Sequence, residues 1–440
     1  MKFKLQQSWA IRILIFALSY IVAVALIYLG MYAIMKKAGR QGADGSESGG
    51  LLGVFSQFYT PSPLEKGKEG VRAVWIATVS NINYPTKRAQ SEDALRAELD
   101  AIVENTSALG ANAIFFQVRP CSDALYESAL FPQSHYVSGT RGVSADGGFD
   151  SLEYLCRAAK KKNIAVHAWV NPVRVLAGSK SDPASAHELT SGEAAALHPE
   201  WTVLYADGKM YYDLGIPEVR TLVADGVYEI VSNYDVAGVV FDDYFYPYPD
   251  YDSEGKLADF DDSASYQKYG GGKERGEYRR ENVRALVRSC YAAVKKADKN
   301  ALFGISPFGV WRNGKSAGGS ETSGLESYSA IYCDTLSFVR EGTVDYIAPQ
   351  LYWEIGADGY DYITLASWWN EALSPYNVPL LVCLAPYRYS EGSYKKGEIT
   401  AQLAYARTLS SYGGCAMYGY AALTDQSLAV GAEVTEMWGK

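Results

Sequence analysis

An α/β chain closed as a (β/α)8 TIM barrel is what this sequence predicts, and three observations predict it. From residue 71 onward, eight short runs rich in β-branched and aromatic residues alternate with longer segments of helical period. No glycine-rich phosphate turn of the kind that opens a doubly wound sheet follows the first run. Amide, carboxylate and aromatic side chains collect at the C-terminal ends of the runs, where barrels of this class build their pockets.

In chain order, the first feature is a charge-free apolar run from Ile13 to Met35, 23 residues, roughly 34 Å as a helix against a hydrocarbon core of about 30 Å. It exceeds the apolar stretch of a cleavable signal and ends in Lys36 and Lys37, without a small-x-small site. Residues 1–37 are therefore expected to be a transmembrane signal-anchor held in the cytoplasmic membrane, with the large domain exported. A cleaved secretory signal is the alternative and leaves the domain on the same side. Basic residues flank the run on both sides (Lys2, Lys4 and Arg12, then Lys36, Lys37 and Arg40), so charge does not orient it. Residues 38–70, rich in Gly, Ser and charge, read as a flexible linker.

The barrel is expected over 71–440. Its strands are placed at 72–79, 113–119, 164–170, 237–242, 301–306, 344–349, 379–384 and 414–420. Helices are placed at 92–108, 151–162, 217–233, 278–297, 328–341, 361–374 and 397–411. The helix at 92–108 carries Ser91 as N-cap, Leu95, Leu99, Ile102 and Val103 on one face, and Gly110 past its end. Residues 171–216 and 243–277 are long loops on the pocket face.

Composition narrows the chemistry. The chain has 440 residues, 48% hydrophobic and 13% aromatic, enough for a large core. The net charge is −9, and −15 once the first forty residues, with six basic and no acidic side chains, are set aside. Nucleic acid is thereby disfavoured as a partner. Cysteines 121, 156, 290, 333, 383 and 415 have no metal-site or disulfide-scaffold spacing and read as buried thiols, with a Cys383–Cys415 bridge possible on neighbouring strands. Scattered histidines, with no His-Glu-x-x-His, argue against a zinc hydrolase, and no Gly-x-Ser-x-Gly elbow is present. No metal and no cofactor are expected.

The strand ends supply the candidate site. Strand period places Gln117 and Arg119 on one face of the second run, and His167, Trp169 and Asn171 on one face of the third. The fourth is apolar until it stops at Asp242, Asp243, Tyr244 and Tyr246; Trp311 follows the fifth. The sixth aligns Gln350, Tyr352 and Glu354, with Trp353 beside them. Aromatic rings beside amides and carboxylates suit a sugar, whose ring faces stack while its hydroxyls hydrogen-bond. Glycoside hydrolysis needs two carboxyl groups, and Asp242, as nucleophile or base, with Glu354, as acid, can supply them. Asp243 can raise its neighbour's pKa, bind a hydroxyl or face the helices. Simpler roles stand beside these: Arg119 neutralising Asp123, His167 as a satisfied core histidine, Glu354 as an exposed loop residue, and Tyr246, Trp311 and Trp353 as loop packing.

Several longer motifs carry a resemblance. Gln-Val-Arg-Pro at 117–120, His-Ala-Trp-Val-Asn-Pro at 167–172, His-Pro-Glu-Trp at 198–201, Phe-Asp-Asp-Tyr-Phe-Tyr-Pro at 241–247, Gly-Ile-Ser-Pro-Phe-Gly-Val-Trp-Arg-Asn at 304–313 and Ala-Pro-Gln-Leu-Tyr-Trp-Glu-Ile-Gly at 348–356 stand in order. Over about residues 71–425 the chain resembles the bacterial glycosyl-hydrolase-like family ten. The resemblance implies a glycosidase-type barrel acting on peptidoglycan glycan strands, particularly strands stripped of peptides. It also implies Gln117, Arg119, Asn171, Asp242, Asp243 and Glu354 as pocket residues. Two departures are visible: Gly208 to Gly215 differs from an Asn-Pro-Gly form, and Glu277-Tyr278 replaces Asp-Trp. The family often carries further C-terminal modules, and this chain reads as a barrel with an anchor and no separate wall-binding domain.

Overall fold

A computed structural model describes residues 64–439. The anchor expected at 1–37 and most of the linker expected at 38–70 lie outside the described residues. Among the described residues no helix is long and apolar enough to cross a membrane.

Eight parallel strands close into a barrel in sequential order. They are β1 (Val71–Ile76), β2 (Ala113–Arg119), β3 (Ala165–Val170), β4 (Gly238–Phe241), β5 (Leu302–Ile305), β6 (Tyr346–Ile347), β7 (Leu380–Leu384) and β8 (Tyr412–Met417). One principal helix follows each: α1 (Glu92–Ala108), α2 (Ser151–Lys160), α3 (Pro217–Asn233), α4 (Arg275–Ala297), α5 (Thr335–Glu341), α6 (Tyr362–Leu373), α7 (Glu398–Ala406) and α8 (Val430–Trp438). The expected (β/α)8 architecture is thus the observed one.

Alternation along the strands builds two cores. Residues such as Ile114, Phe116 and Val239 face the helices, while Trp75, Phe115, Trp169, Val240, Tyr346, Leu381, Cys383 and Ala416 fill the barrel interior. The interior layer depends on two glycines. A Cβ at Gly304 would lie 2.1 Å from the Tyr346 ring, and one at Gly238 would lie 3.0 Å from His167 Nδ1. Their absent side chains leave room for the hydrogen-bonded pair His167 Nδ1 and Tyr346 Oη, 3.0 Å apart. Followed upward, the interior register arrives at Gln117, Trp169, Asp242 and Gln350.

Helices begin where the sequence supplies a cap. Ser91 accepts the Ala94 N–H at the start of α1, and Asp150 accepts the Glu153 N–H at the start of α2. Residues 328–341, expected as one helix, break into Ser327–Ala330 and α5. The eighth strand stops at Met417, so Tyr420 belongs to a short helix, Tyr420–Thr424, and accepts a hydrogen bond from Asn105. Helix α8 was not expected; its Val430, Val434 and Trp438 at a spacing of four bury one face. Within 171–216, read as loop, Arg174–Leu176, Met210–Tyr212 and Thr202–Leu204 form a three-stranded antiparallel sheet.

Residues 64–70, the end of the expected linker, are docked on the N-terminal face of the barrel. Lys66 Nζ donates to the carbonyls of Leu373, Ser374 and Tyr376 at 3.1, 3.2 and 2.8 Å, capping the C-terminal end of α6. Glu69 pairs with Arg407 at 2.6 Å. All six cysteines are buried free thiols, so Cys383 and Cys415 form no bridge.

Candidate active site

Strand β4 ends on Phe241, and the next two residues carry the acidic pair into the mouth of the barrel. Asp242 continues the interior phase of Val240 and is 4% exposed. Its Oδ2 accepts the Trp169 indole N–H at 3.0 Å and the Asn171 amide at 3.2 Å, and its Oδ1 accepts the Tyr244 backbone N–H at 3.4 Å. Asn171 is itself oriented, because its Oδ1 accepts the backbone N–H groups of Val173 and Arg174 at 3.3 and 2.8 Å. Burial, reinforced by the charge of Asp243, pushes the Asp242 carboxyl up to about 7, against the opposing pull of the Arg174 guanidinium and the Trp169 N–H.

Asp243 leans the other way round the barrel and is 2% exposed. The Tyr248 hydroxyl donates to its Oδ2, and Gln350 Nε2 donates to its Oδ1 at 2.9 Å. Burial raises this carboxyl as well, while those two hydrogen bonds pull it back. Gln350 is fixed in turn by donating to the Ser306 carbonyl at 3.2 Å. Arg174 lies with its guanidinium 4.8 Å from the centre of the Tyr244 ring.

Two aromatic walls rise from the strand ends around the pair. One joins Trp169 to Tyr418, Tyr418 to Tyr352 stacked at 5.9 Å, and both tyrosines to Tyr387. The other runs Tyr244, Tyr248, Phe308, Trp353 and Tyr360 with centroid separations of 5.6, 6.0, 5.4 and 4.7 Å. Such a mouth presents ring faces and edges with two buried carboxyls between them.

Residues 70–398 match the family described as Glycosyl hydrolase-like 10. The chain belongs to the Glycosyl hydrolase-like 10 family. It is 37% identical over 324 residues to "Glycosyl hydrolase YngK" of Bacillus subtilis, covering 72% of this chain and 61% of that protein. It is 34% identical over 351 residues to "Glycosyl hydrolase DigH" of Escherichia coli K12, covering 76% of this chain and 77% of that one. This chain therefore spans about three fifths of the Bacillus relative's length. Its fold is like that of the glycoside hydrolase domain of PgaB (BpsB) from Bordetella bronchiseptica, with a TM-score of 0.50, 12% identity, and coverage of 82% of this chain and 98% of that one.

Within this Glycosyl hydrolase-like 10 barrel, the residues expected at the site divide. Trp169, Asn171, Asp242, Asp243, Tyr244 and Gln350 are joined by hydrogen bonds, and Tyr352 and Trp353 stand in the walls. Gln117 is buried beneath them and accepts the backbone N–H groups of Thr78 and Val79 at 2.9 and 3.0 Å, tying β1 to β2. His167 is the core histidine of the alternative reading, its pKa lowered to about 3 by burial.

Arg119 is not in the mouth. The register shifts between Gln117 and Arg119, and the extra residue turns Arg119 toward the helices, with its guanidinium 3.5 Å from the centre of the Phe131 ring. Nor does it neutralise Asp123, which pairs with Arg141 at 3.5 Å. Tyr246 is 2% exposed and packs against Phe260 and Tyr332 at 5.3 and 5.2 Å, below the surface a sugar could reach. Trp311 is also buried, stacked on Trp368 at 5.6 Å. Glu354 is exposed in the turn that leads into α6, where its backbone carbonyl accepts the N–H groups of Ala357 and Tyr362.

The site residues expected from sequence do not include Tyr248, Arg174, Tyr387 or Tyr418, which the structure places around the acidic pair. A period of two from Tyr244 would have reached Tyr248; the Tyr-Pro-Tyr-Pro run hid which of its tyrosines turns inward.

Proposed function

We propose that this chain is a glycoside hydrolase that cleaves a cell-envelope polysaccharide, the glycan backbone of peptidoglycan. The observation that carries the reading is the Asp242 carboxyl, buried between two aromatic walls and pushed up to about 7. A carboxyl that keeps its proton near neutrality can donate it to a departing glycosidic oxygen. Asp242 is thus assigned as the general acid, reversing the role read from sequence, where burial could not be weighed. Asp243 is the second carboxyl of the reacting centre, and Glu354 a rim residue.

The names of the Bacillus and Escherichia relatives, both glycosyl hydrolases, support the reaction class. The envelope substrate rests on the expected anchor at 1–37, which would hold the barrel on the outer side of the cytoplasmic membrane. Residues 64–70 rest on the barrel at the face opposite the mouth. The test is a panel of peptide-free peptidoglycan strands, an α-glucan and an exopolysaccharide, incubated with the full chain and followed by mass spectrometry. Shortened peptidoglycan strands, absent with Asp242→Asn, are expected. Intact strands beside a degraded α-glucan would overturn the substrate, and an undegraded panel would overturn the enzyme.

A further inference from the structure

One role in this chemistry has no evident owner among the described residues. Asp242 and Asp243 are consecutive residues past one strand, so both carboxyls reach a bound sugar from the β4 side. Displacement at an anomeric carbon needs a nucleophile on the face opposite the departing oxygen. Asp243 is poorly suited to it. Tyr248 holds one oxygen and Gln350 the other, Gln350 is braced on Ser306, and the Tyr248 ring is wedged edge-on between Tyr244 and Phe308. A carboxylate so clamped is held in one orientation, with about two of its roughly four lone-pair sites open to accept a further hydrogen bond. Glu354 is exposed to water in the turn before α6.

We propose that the nucleophile is the 2-acetamido carbonyl oxygen of the substrate itself and that Asp243 holds the acetamido N–H. The substrate class is then a glycan with a 2-acetamido-2-deoxy sugar at the cleaved anomeric carbon. This rests on the glycosidase reading above and deepens it, since it assigns the nucleophile and the role of Asp243.

The steps balance. The C1–O bond to the leaving sugar breaks, and its oxygen takes the proton of Asp242. A lone pair of the acetamido oxygen forms a bond to C1, closing an oxazolinium ring whose N–H faces the Asp243 carboxylate. Water then adds to C1 from the side the leaving group vacated and gives a proton to Asp242. The bond from C1 to the acetamido oxygen breaks, and its electron pair returns to the acetamido group. One water is consumed, two hydroxyl ends appear and the anomeric configuration is retained. Tyr248 and Gln350 are positioning residues, acting through Asp243.

The experiment gives the full chain a series of oligosaccharides bearing N-acetyl, N-difluoroacetyl or N-trifluoroacetyl groups. Fluorine makes the carbonyl oxygen a weaker nucleophile, so kcat/KM is expected to fall about a hundredfold or more across the series. Proton NMR of the first-formed product should show retention. Tyr248→Phe, with unchanged circular dichroism, should weaken binding of an N-acetylglucosamine thiazoline by roughly tenfold, the effect of one hydrogen bond to a charged group. A flat fluorine series or an inverted product overturns the inference and leaves the glycosidase reading standing. Unchanged thiazoline affinity in Tyr248→Phe overturns the positioning role. No cleavage of any member, together with no thiazoline binding, overturns both.

Discussion

Burial away from water and a neighbouring negative charge each raise a carboxyl's pKa, and Asp242 has both. Holding it there has a stability signature. Its folded pKa, about 7, lies above the ordinary 3.8, so the stability it contributes is full below 3.8 and is lost as pH rises through about 7. The gap corresponds to a loss on the order of 4 kcal/mol by pH 8. Asp242→Asn, which carries no charge to bury, is expected to raise the melting temperature at pH 8 and leave it nearly unchanged at pH 3.5; calorimetric scans at the two pH values check this, and equal shifts would argue against a raised pKa. Glu354→Gln should lower kcat by less than about tenfold and Asp242→Asn by about a thousandfold or more. Comparable losses would restore Glu354 as a partner in the chemistry. The pair itself was legible in the sequence, because an apolar strand that stops at two aspartates has few other uses. Its division of labour was not, since it depends on the balance at each carboxyl between burial, which raises its pKa, and the donors around it, which lower it.

At the scale of elements, period-two reading worked close to the strands and lost Glu354, which lies in a turn well past Tyr346–Ile347. It aligned Trp169 with Asn171 and Gln350 with Tyr352. It failed at the end of β2, where the irregularity between Gln117 and Arg119 reverses the face of everything after it. Arg119 ends in a buried setting in which its Nε and Nη1 have no hydrogen-bond partner among the described residues. Replacing such a cation by an apolar side chain of similar length is commonly neutral or stabilising. Arg119→Met is therefore expected to keep kcat/KM within about twofold and to keep or raise the melting temperature; a large loss of turnover with the fold intact would return Arg119 to the pocket. The two departures from the family pattern meet in space: the Tyr278 hydroxyl donates to the Gly215 carbonyl at 3.4 Å, outside the hydrogen-bonded set around Asp242. They alter how the third-strand loop rests on α4 and leave the acidic pair untouched. Helix α8 was readable from Val430, Val434 and Trp438, but so short a pattern near the end of the chain carries little weight without its partner, the end of α1 at Gly110, against which Trp438 packs.

For the whole molecule, the alternation of runs was enough to give the barrel, because eight buried strands with a helix after each have few closed arrangements. The boundary between linker and barrel was harder to read, since Lys66, Gly67 and Glu69 look like tether residues until the carbonyls they meet are known. Lys66→Ala should remove about 1–2 kcal/mol by uncapping α6, measured by chemical denaturation of the full chain; no change would mean the docked segment contributes nothing to stability. At the opposite face, the acid assignment joins fold, site and reaction. It is tested most directly by the pH dependence of kcat/KM on peptide-free glycan strands, which reports the ionisation of the free enzyme. With Asp242 as proton donor, activity should be held below its pKa and fall as pH rises through about 7. Activity that instead rises through the same range would mean that Asp242 works ionised, and would contradict the account.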